Sequence, residues 1–435
     1  MKILMIEQIK AKNQKSRSLE KTLLTAFSIL PTLYVRRLAA ITPSNHKVNI
    51  INERYHSIPF FDKFDLVLIH FTTASAYRAY EIADQFKAKN MKVILCGLHA
   101  SALPTEALNH ADSVLLGRGE ANWLAALRDA DATNLKKIYP PESYDSLPCS
   151  IPPTNVNLPG FVMIGAIEAT RGCPYKCNFC PESNTPNGYI FYKRPVDEVI
   201  DEIKKLKQKI IMFYDASLTI DPEYTKTLFK NMIPLKKHFF CNGNVDVLST
   251  DEELISLSKK AGCIGWLIGF ESISQQTIDT LHKKTNTVKI YQRAIDLIHK
   301  HHMMVIGDFI FGFDTDTKDG FETTEKTIKK LGIDVADFTI NTPFPGTPMY
   351  DQLEKEGRIL TKDWTKYTMY SVVYQPKQMS PDELLIGVNF MYQSFYSIPE
   401  TIKRILKGLS YGIYPFVAIA NRNFISLIAS QKIKH

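Results

Sequence analysis

Two arrays of short apolar runs alternate with helical patterns along the chain, and a proline-rich stretch separates them. No other feature constrains the fold as much. A strand that returns to its sheet through a helix must run parallel to the strand before it, and a parallel sheet needs cover on both faces. In the first array the runs are "KILMIE", "KVNIINE", "LVLIHF", "KVILCG" and "SVLLG", rich in branched residues and bounded by polar residues or glycine. Helical patterns fall between them over 18–40 (with Pro31 interrupting), 74–89 and 120–129. Residues 1–130 therefore read as α/β, a doubly wound, Rossmann-like parallel sheet. Such sheets bind ligands beyond the carboxyl ends of their strands. Those ends lead here into "FTTASAY", "CGLHASALP" and "GRGEANW".

Residues 131–160, with "YPPESYDSLPCSIPPTNVNLPG", carry many prolines and no period, and read as a linker. A second array spans 161–345, with strands expected in "VMIGAIEAT", "IIMFYD", "FFCNGNV", "IGWLIGFES", "MVIGDFIFGF" and "ADFTINTPF". Six strand–helix units predict a partial (βα)6 barrel whose strand ends face one cavity. The helix after Pro195 has Asp197, Glu198, Asp201 and Glu202 early and Lys204, Lys205 and Lys207 late, an order that complements the helix dipole. Thr250 and Glu253 read as a capping box, with Gly262 as the stop. Residues 346–435 read as a mostly helical extension.

Seven cysteines in 435 residues do not make a disulfide framework. "MKILMIEQIK" reads as a first strand rather than a signal peptide. No run approaches roughly 18 uninterrupted apolar residues. A cytoplasmic protein is expected, and no DNA-reading motif suggests a nucleic-acid partner. The net charge is +8, and the tail stands out. After Glu400 no acidic residue occurs, while Lys403, Arg404, Lys407, Arg422, Lys432 and Lys434 surround "YGIYPFVAIANRNFISLIAS". Two expectations compete: a helix closing the barrel, or a surface for a membrane or an apolar substrate.

"RGCPYKCNFCPES" places Cys173, Cys177 and Cys180 directly after the first strand of the second array. A structural zinc site needs four ligands, commonly in paired knuckles, and only one Cys-x-x-Cys pair exists here. Three thiolates on an iron–sulfur cluster leave one iron open to bind something else. Cys96, Cys149, Cys241 and Cys263 are scattered and read as small core residues.

Cys-x-x-x-Cys-x-aromatic-Cys, with Phe179 as the aromatic, resembles the radical S-adenosylmethionine (SAM) enzymes. The resemblance implies a 4Fe–4S cluster on the three cysteines. Its open iron would chelate the amino and carboxylate groups of SAM, and reductive cleavage would yield a 5′-deoxyadenosyl radical. It further implies SAM contacts from Phe179 in the loop and from Asp215, Asn244, Glu271 and Ser272 at later strand ends, and an external electron donor such as flavodoxin or ferredoxin.

"VILCGLHASALPTEALNHADSVLLGRGEANW" resembles the cobalamin-binding-type domain that precedes the barrel in one branch of the family. The Asp-x-His-x-x-Gly motif that supplies a histidine beneath cobalt in many such domains is missing after the first strand, and His56 follows the second strand instead. The resemblance thus implies cobalamin with no protein histidine below cobalt, and Thr72, His99 and Ser101 as its contacts. The stretch "DWTKYTMYSVVYQPKQMSPDELL" resembles the branch that holds the hopanoid methylases. The implied activity is methyl transfer to an unactivated carbon of a small, apolar or lipid-like substrate. The alternatives are an oxidative cyclase or other radical rearrangement and, from a different class, a non-enzymatic cobalamin or cluster sensor. No second cysteine triad precedes the barrel, which disfavours methylthiolation of RNA.

Overall fold

The computed structural model describes residues 1–7, 32–53, 56–141 and 164–431. The first array folds into six parallel strands: β1 (Lys2–Glu7), β2 (Lys47–Asn52), β3 (Leu66–His70), β4 (Lys92–Cys96), β5 (Ser113–Leu115) and β6 (Ile138–Tyr139). Their order is β2-β1-β3-β4-β5-β6. The chain reverses its direction of winding between β1 and β3, which creates a crevice beyond their carboxyl ends. The central strands are nearly continuous apolar runs because helices cover both faces. β6 was not expected: Ile138–Tyr139 lie in the stretch read as a linker, yet they pair with β5 and extend the sheet. Of the helical pattern over 18–40, the described part is a helix at Tyr34–Ile41. The remainder, residues 142–163 and Cys149 lie outside the described residues.

The second array begins at β7 (Ile164–Ile167). A short antiparallel pair follows, β8 (Thr170–Arg171) with β9 (Tyr192–Lys193), and brackets the cysteine loop. The sheet resumes with β10 (Ile210–Phe213), β11 (His238–Asn242), β12 (Cys263–Glu271), β13 (Met304–Phe311) and β14 (Val335–Ile340). All are parallel and neighbours in chain order, so every carboxyl end lies on one rim, as expected of a partial barrel. The helix Val196–Lys205 carries Asp197 and Glu198 in its first turn and Lys204 and Lys205 in its last. One cap differs from expectation. Asp251, not Thr250, accepts from the Leu254 amide at 2.9 Å and starts the helix Glu252–Ala261, while the Thr250 hydroxyl donates back to Asp246 and Val247 carbonyls. A carboxylate one residue nearer the helix wins the cap.

The C-terminal tail closes the barrel floor. Helices Ile398–Gly408 and Ile413–Gln431 bring Tyr411 and Ile419 against Ile264, Met304 and Val335 at the amino ends of β12, β13 and β14. Arg404 is buried; it donates to Asn423 Oδ1 and to the Phe395 carbonyl, each at 2.7 Å, and its guanidinium lies 3.9 Å from the Phe395 ring centroid. Lys407 pairs with Asp334 at 3.0 Å and Arg422 with Asp337 at 2.8 Å. Three of the basic residues expected to face a surface are thus committed to internal partners. Lys403 is exposed, and Lys432 and Lys434 lie outside the described residues. What the tail turns outward is apolar: Ile398, Ile402, Leu406, Leu409 and Ile413 are each more than half exposed.

Candidate active site at the interdomain cleft

The cysteine loop is shaped by its own sequence and pinned from three sides. Gly172 adopts φ +72°, where a side chain would collide with the Ile190 carbonyl, and the chain turns there into Cys173. Cys173 N–H donates to Gly188 O at 2.9 Å. Asn184 Nδ2 donates to the carbonyls of Cys177 and Cys180 at 2.9 and 2.7 Å. Asn178 reaches across to the carbonyls of Thr280 and Leu281. Phe179 packs into the apolar cluster shared by the two sheets, 6.2 Å from Phe313. Phe179 therefore anchors the loop.

Each of the three thiols is raised by burial, Cys177 to about 12, and next to burial the charges of the neighbouring thiols and of Lys283 act on Cys177. Three mutually coupled thiols in a loop of this kind suit a polynuclear iron cluster, whose positive charge favours their thiolate forms. No three His, Cys, Asp or Glu side chains among the described residues are arranged around a single ion. A cubane spreads its ligands over several irons, so the donor set fits a cluster better than one ion.

Beside the triad, β12 ends in a bulge between Gly269 and Glu271. Glu271 has φ +61°, an unusual conformation for a residue with a side chain, and its carboxylate pairs with Lys283. Burial lowers the basicity of Lys283, but Glu271 and the thiols Cys177 and Cys180 raise it by more. Ser272 lines the same cavity as Glu271, one of about 440 Å³ that continues past Phe309, Thr315 and Asp316. Glu271 is the last residue of the fourth barrel strand and Ser272 follows it.

Asp215 does not present a free carboxylate. It is fully buried, and its oxygens accept from the Ala169 and Thr170 amides and the Thr170 hydroxyl at 2.5–3.1 Å. Burial and Glu168 push it up to about 7. It ties the second strand to the root of the cysteine loop. Asn244 turns into a helix start, its amide bonded to Thr219. Asn242, two residues earlier, lines the cleft and was missed.

A second cavity, of about 490 Å³, lies between the carboxyl ends of the two sheets. Tyr34, His70, Gly97, Leu98, Gly117, Arg118 and Glu120 form one wall; Glu168, Glu182, Thr185, Tyr214, Asp215 and Asn242 form the other. A buried ion network crosses it. Glu168 forms an ion pair with Arg37 at 2.9 Å and accepts hydrogen bonds from Arg118 at 2.7 Å and Arg171 at 3.0 Å, and Arg118 also pairs with Glu182. Burial raises the Glu168 carboxyl, but the Arg37 and Arg118 charges outweigh it and hold it below its ordinary value. Two charged residues of the first sheet thus grip the segment leading into the cysteine loop.

The expected cobalamin contacts do not line this cavity. His99 is fully buried, with Nε2 on Glu106 at 3.2 Å and its ring 5.1 Å from Trp364. Ser101 accepts from the Gly117 amide at 2.9 Å and holds the next loop. Thr72 forms a capping box with Ser75. The residues that do line it are their neighbours. Gly97 adopts φ +112°, where a Cβ would collide with the Phe71 carbonyl and crowd His70 Cδ2 at 3.2 Å. Glu120 Oε2 and Asn242 Oδ1 are buried without a hydrogen-bond partner. A bare backbone beside the winding reversal and unsatisfied polar atoms elsewhere on the cavity wall fit a large polar cofactor.

Comparison with known proteins bears on the same elements. Residues 167–328 match the Radical SAM superfamily. Those residues form a radical SAM domain. The match begins at the end of β7 and runs through the cysteine loop to the helix after β13. Among curated proteins, the chain is 29% identical to bacteriochlorophyllide d C-12(1)-methyltransferase of Chlorobaculum tepidum, over 85% of this chain and 83% of that one. It is 22% identical to the hopanoid C-2 methylase of Rhodopseudomonas palustris, over 75% and 64%. Among solved structures, the radical SAM methyltransferase TsrM of Kitasatospora setae superposes with a TM-score of 0.74 at 14% identity, covering 100% of both chains. This radical SAM enzyme therefore shares that protein's fold from end to end. No described helix is long and apolar enough to cross a membrane.

Proposed function

We propose that this radical SAM enzyme is cobalamin-dependent and transfers a methyl group to an unactivated carbon of a small molecule. One observation carries the reading: the cavity between the sheets has the cysteine loop behind one wall and the β1/β3 reversal of the first sheet on the other. A corrinoid in that crevice and SAM at the cluster would lie beside neighbouring strand ends. The curated relatives named as methyltransferases and methylases support the same reaction class, as does a form of TsrM solved with cobalamin and a [4Fe–4S] cluster bound.

When bound, the cofactors supply a carbon-centred radical and a transferable methyl group, and the chain's part is to hold, orient and shield. Cys173, Cys177 and Cys180 hold the cluster. Glu271 and Lys283 offer opposite charges beside it, suited to the ammonium and carboxylate of an amino-acid group. Asp215 acts as a positioning residue, fixing Ala169 and Thr170 at the root of the loop. The shared apolar cluster under Phe179 and Phe313 keeps water from the radical side.

The substrate class proposed is apolar or lipid-like, and peripheral contact with a membrane accompanies it. The support is the outward row Ile398, Ile402, Leu406, Leu409 and Ile413, a contiguous apolar stripe of the kind that marks an interaction surface. Because the nearby arginines pair internally, the contact is apolar rather than electrostatic. Sedimentation with liposomes should then survive raised salt and be lost in Ile402→Glu with Leu406→Glu.

Anaerobic incubation with reductant, SAM, cobalamin and candidate acceptors tests the reaction. Methyl transfer through cobalamin predicts both 5′-deoxyadenosine and S-adenosylhomocysteine. Deoxyadenosine alone would turn the reading to an oxidative cyclase, and neither product to a sensor.

A further inference from the structure

His70 is the last residue of β3, at the reversal between β1 and β3 where a doubly wound sheet receives its ligand. Its ring lines the interdomain cavity. One face stacks on Tyr34, with centroids 4.3 Å apart and planes 28° from parallel. Among the described residues neither ring nitrogen has a hydrogen-bond partner, whereas His99, His110 and His299 each engage a carboxylate. The side chain is only half-buried because the cavity reaches it. Gly97, the glycine whose missing Cβ leaves room at Cδ2, lies against the ring edge.

Its surroundings keep the imidazole neutral. Burial lowers its pKa to about 4, so a lone pair is available at physiological pH. The other soft or basic groups near this wall are unsuited to bind a metal. Cys96 is pushed up to about 12 by burial and donates its thiol to the Ile69 carbonyl. Burial also raises the Tyr34 phenol well above its ordinary value. No other histidine among the described residues lines the cavity. A neutral, unpaired, rigidly stacked imidazole facing a cofactor-sized space is a metal ligand in waiting.

We propose that His70 is the axial ligand beneath cobalt, taking the place of the motif-borne histidine that the chain lacks. The proposal rests on the cobalamin reading above and goes beyond it. It also reverses the expectation of a cobalt with no protein nitrogen below it. The bond is a lone-pair donation from a ring nitrogen; no electron or proton changes hands, and the corrinoid's own nucleotide base leaves that position.

The test is electron paramagnetic resonance of cob(II)alamin bound to the full chain, with the cluster oxidised and silent. A nitrogen ligand splits each cobalt line into a triplet. Growth on 15N-labelled histidine should turn the triplets into doublets, which separates His70 from the corrinoid's base. His70→Phe, which keeps the stack on Tyr34, should retain the corrinoid and lose the splitting, while His56→Ala and His99→Ala keep it. Bound corrinoid with no splitting, or with triplets unchanged by the label, overturns the assignment but leaves the cobalamin reading standing. A protein that binds no corrinoid overturns both. Should His70→Phe fail to fold, the isotope experiment alone decides.

Discussion

The two ends of the second sheet are built from opposite materials. At the floor, apolar side chains from the strand starts meet Tyr411 and Ile419, and the buried charges are closely matched: Asp334 with Lys407 and His299, Asp337 with Arg422. At the mouth lie three thiols raised by burial, a glutamate in a left-handed conformation, and one carboxylate shared among three arginines. Several buried polar atoms there, Glu120 Oε2 and Asn242 Oδ1 among them, have no hydrogen-bond partner. Apolar packing with matched charge pairs below, and raised thiols with a strained glutamate above, are what a barrel needs to hold itself together at one end and bind cofactors at the other.

The sharpest way to break that contrast is to remove the floor. Ending the chain after Glu400 strips Tyr411, Ile419 and Arg404 from the strand starts. We expect an insoluble product with no cooperative thermal transition. A truncated chain that stays folded and binds its cluster would show that the floor is not the stabilising end. Next in size is the opposite operation. Replacing Cys173, Cys177 and Cys180 together by alanine should abolish iron and sulfide binding while leaving circular dichroism and Tm close to those of the apoprotein. If that variant unfolds as the truncation does, mouth and floor are not separable.

A point change sharpens the same comparison. Arg404→Ala removes a buried cation from Asn423 and the Phe395 carbonyl and should cost about 2–4 kcal/mol in denaturant titrations, with cluster content per folded chain unchanged. The smallest effect is one of pH, and its sign differs between the ends. Glu120, at the mouth, is raised from 4.5 to about 7 by burial, so the folded state keeps a proton that the unfolded state releases. Its contribution is lost as pH rises from about 4.5 to 7, by about 3 kcal/mol. At the floor, burial raises Asp334, but the His299 hydrogen bond and the His299 and Lys407 charges hold it below its ordinary value. Its contribution is present above the unfolded pKa and lost as pH falls through the folded one. Glu120→Gln should therefore flatten the loss of Tm between pH 5 and 8 and leave the acid side alone; an unchanged slope would remove Glu120 from the account.

The cysteine loop was legible because its signal is local: three thiols at fixed spacing after a strand announce themselves without any tertiary knowledge. So were most strands, whose branched runs are bounded by glycine or polar residues. His70 was not, because it bears no motif. It matters only once β1 and β3 are known to be neighbours with the winding reversal between them. Asn244 was preferred to Asn242 because "FFCNGNV" does not reveal where β11 stops. His99 and Ser101 sit in the right loop but turn inward to Glu106 and Gly117, a choice made by partners distant in sequence. The tail's charges misled for the same reason. Asp334 and Asp337, which take up Lys407 and Arg422, stand about 70 to 85 positions earlier.

The left-handed backbone at Glu271 also limits how this chain can evolve. Among the twenty residues only glycine, and to a lesser degree asparagine and aspartate, adopt φ near +61° without penalty. Glycine would relieve about 1 kcal/mol of strain but remove the carboxylate that faces Lys283. Asparagine would keep the shape and lose the charge, and aspartate would keep the charge on a shorter arm. Selection for stability alone would thus favour another residue at this position, and the strain marks Glu271 as a residue held for its carboxylate.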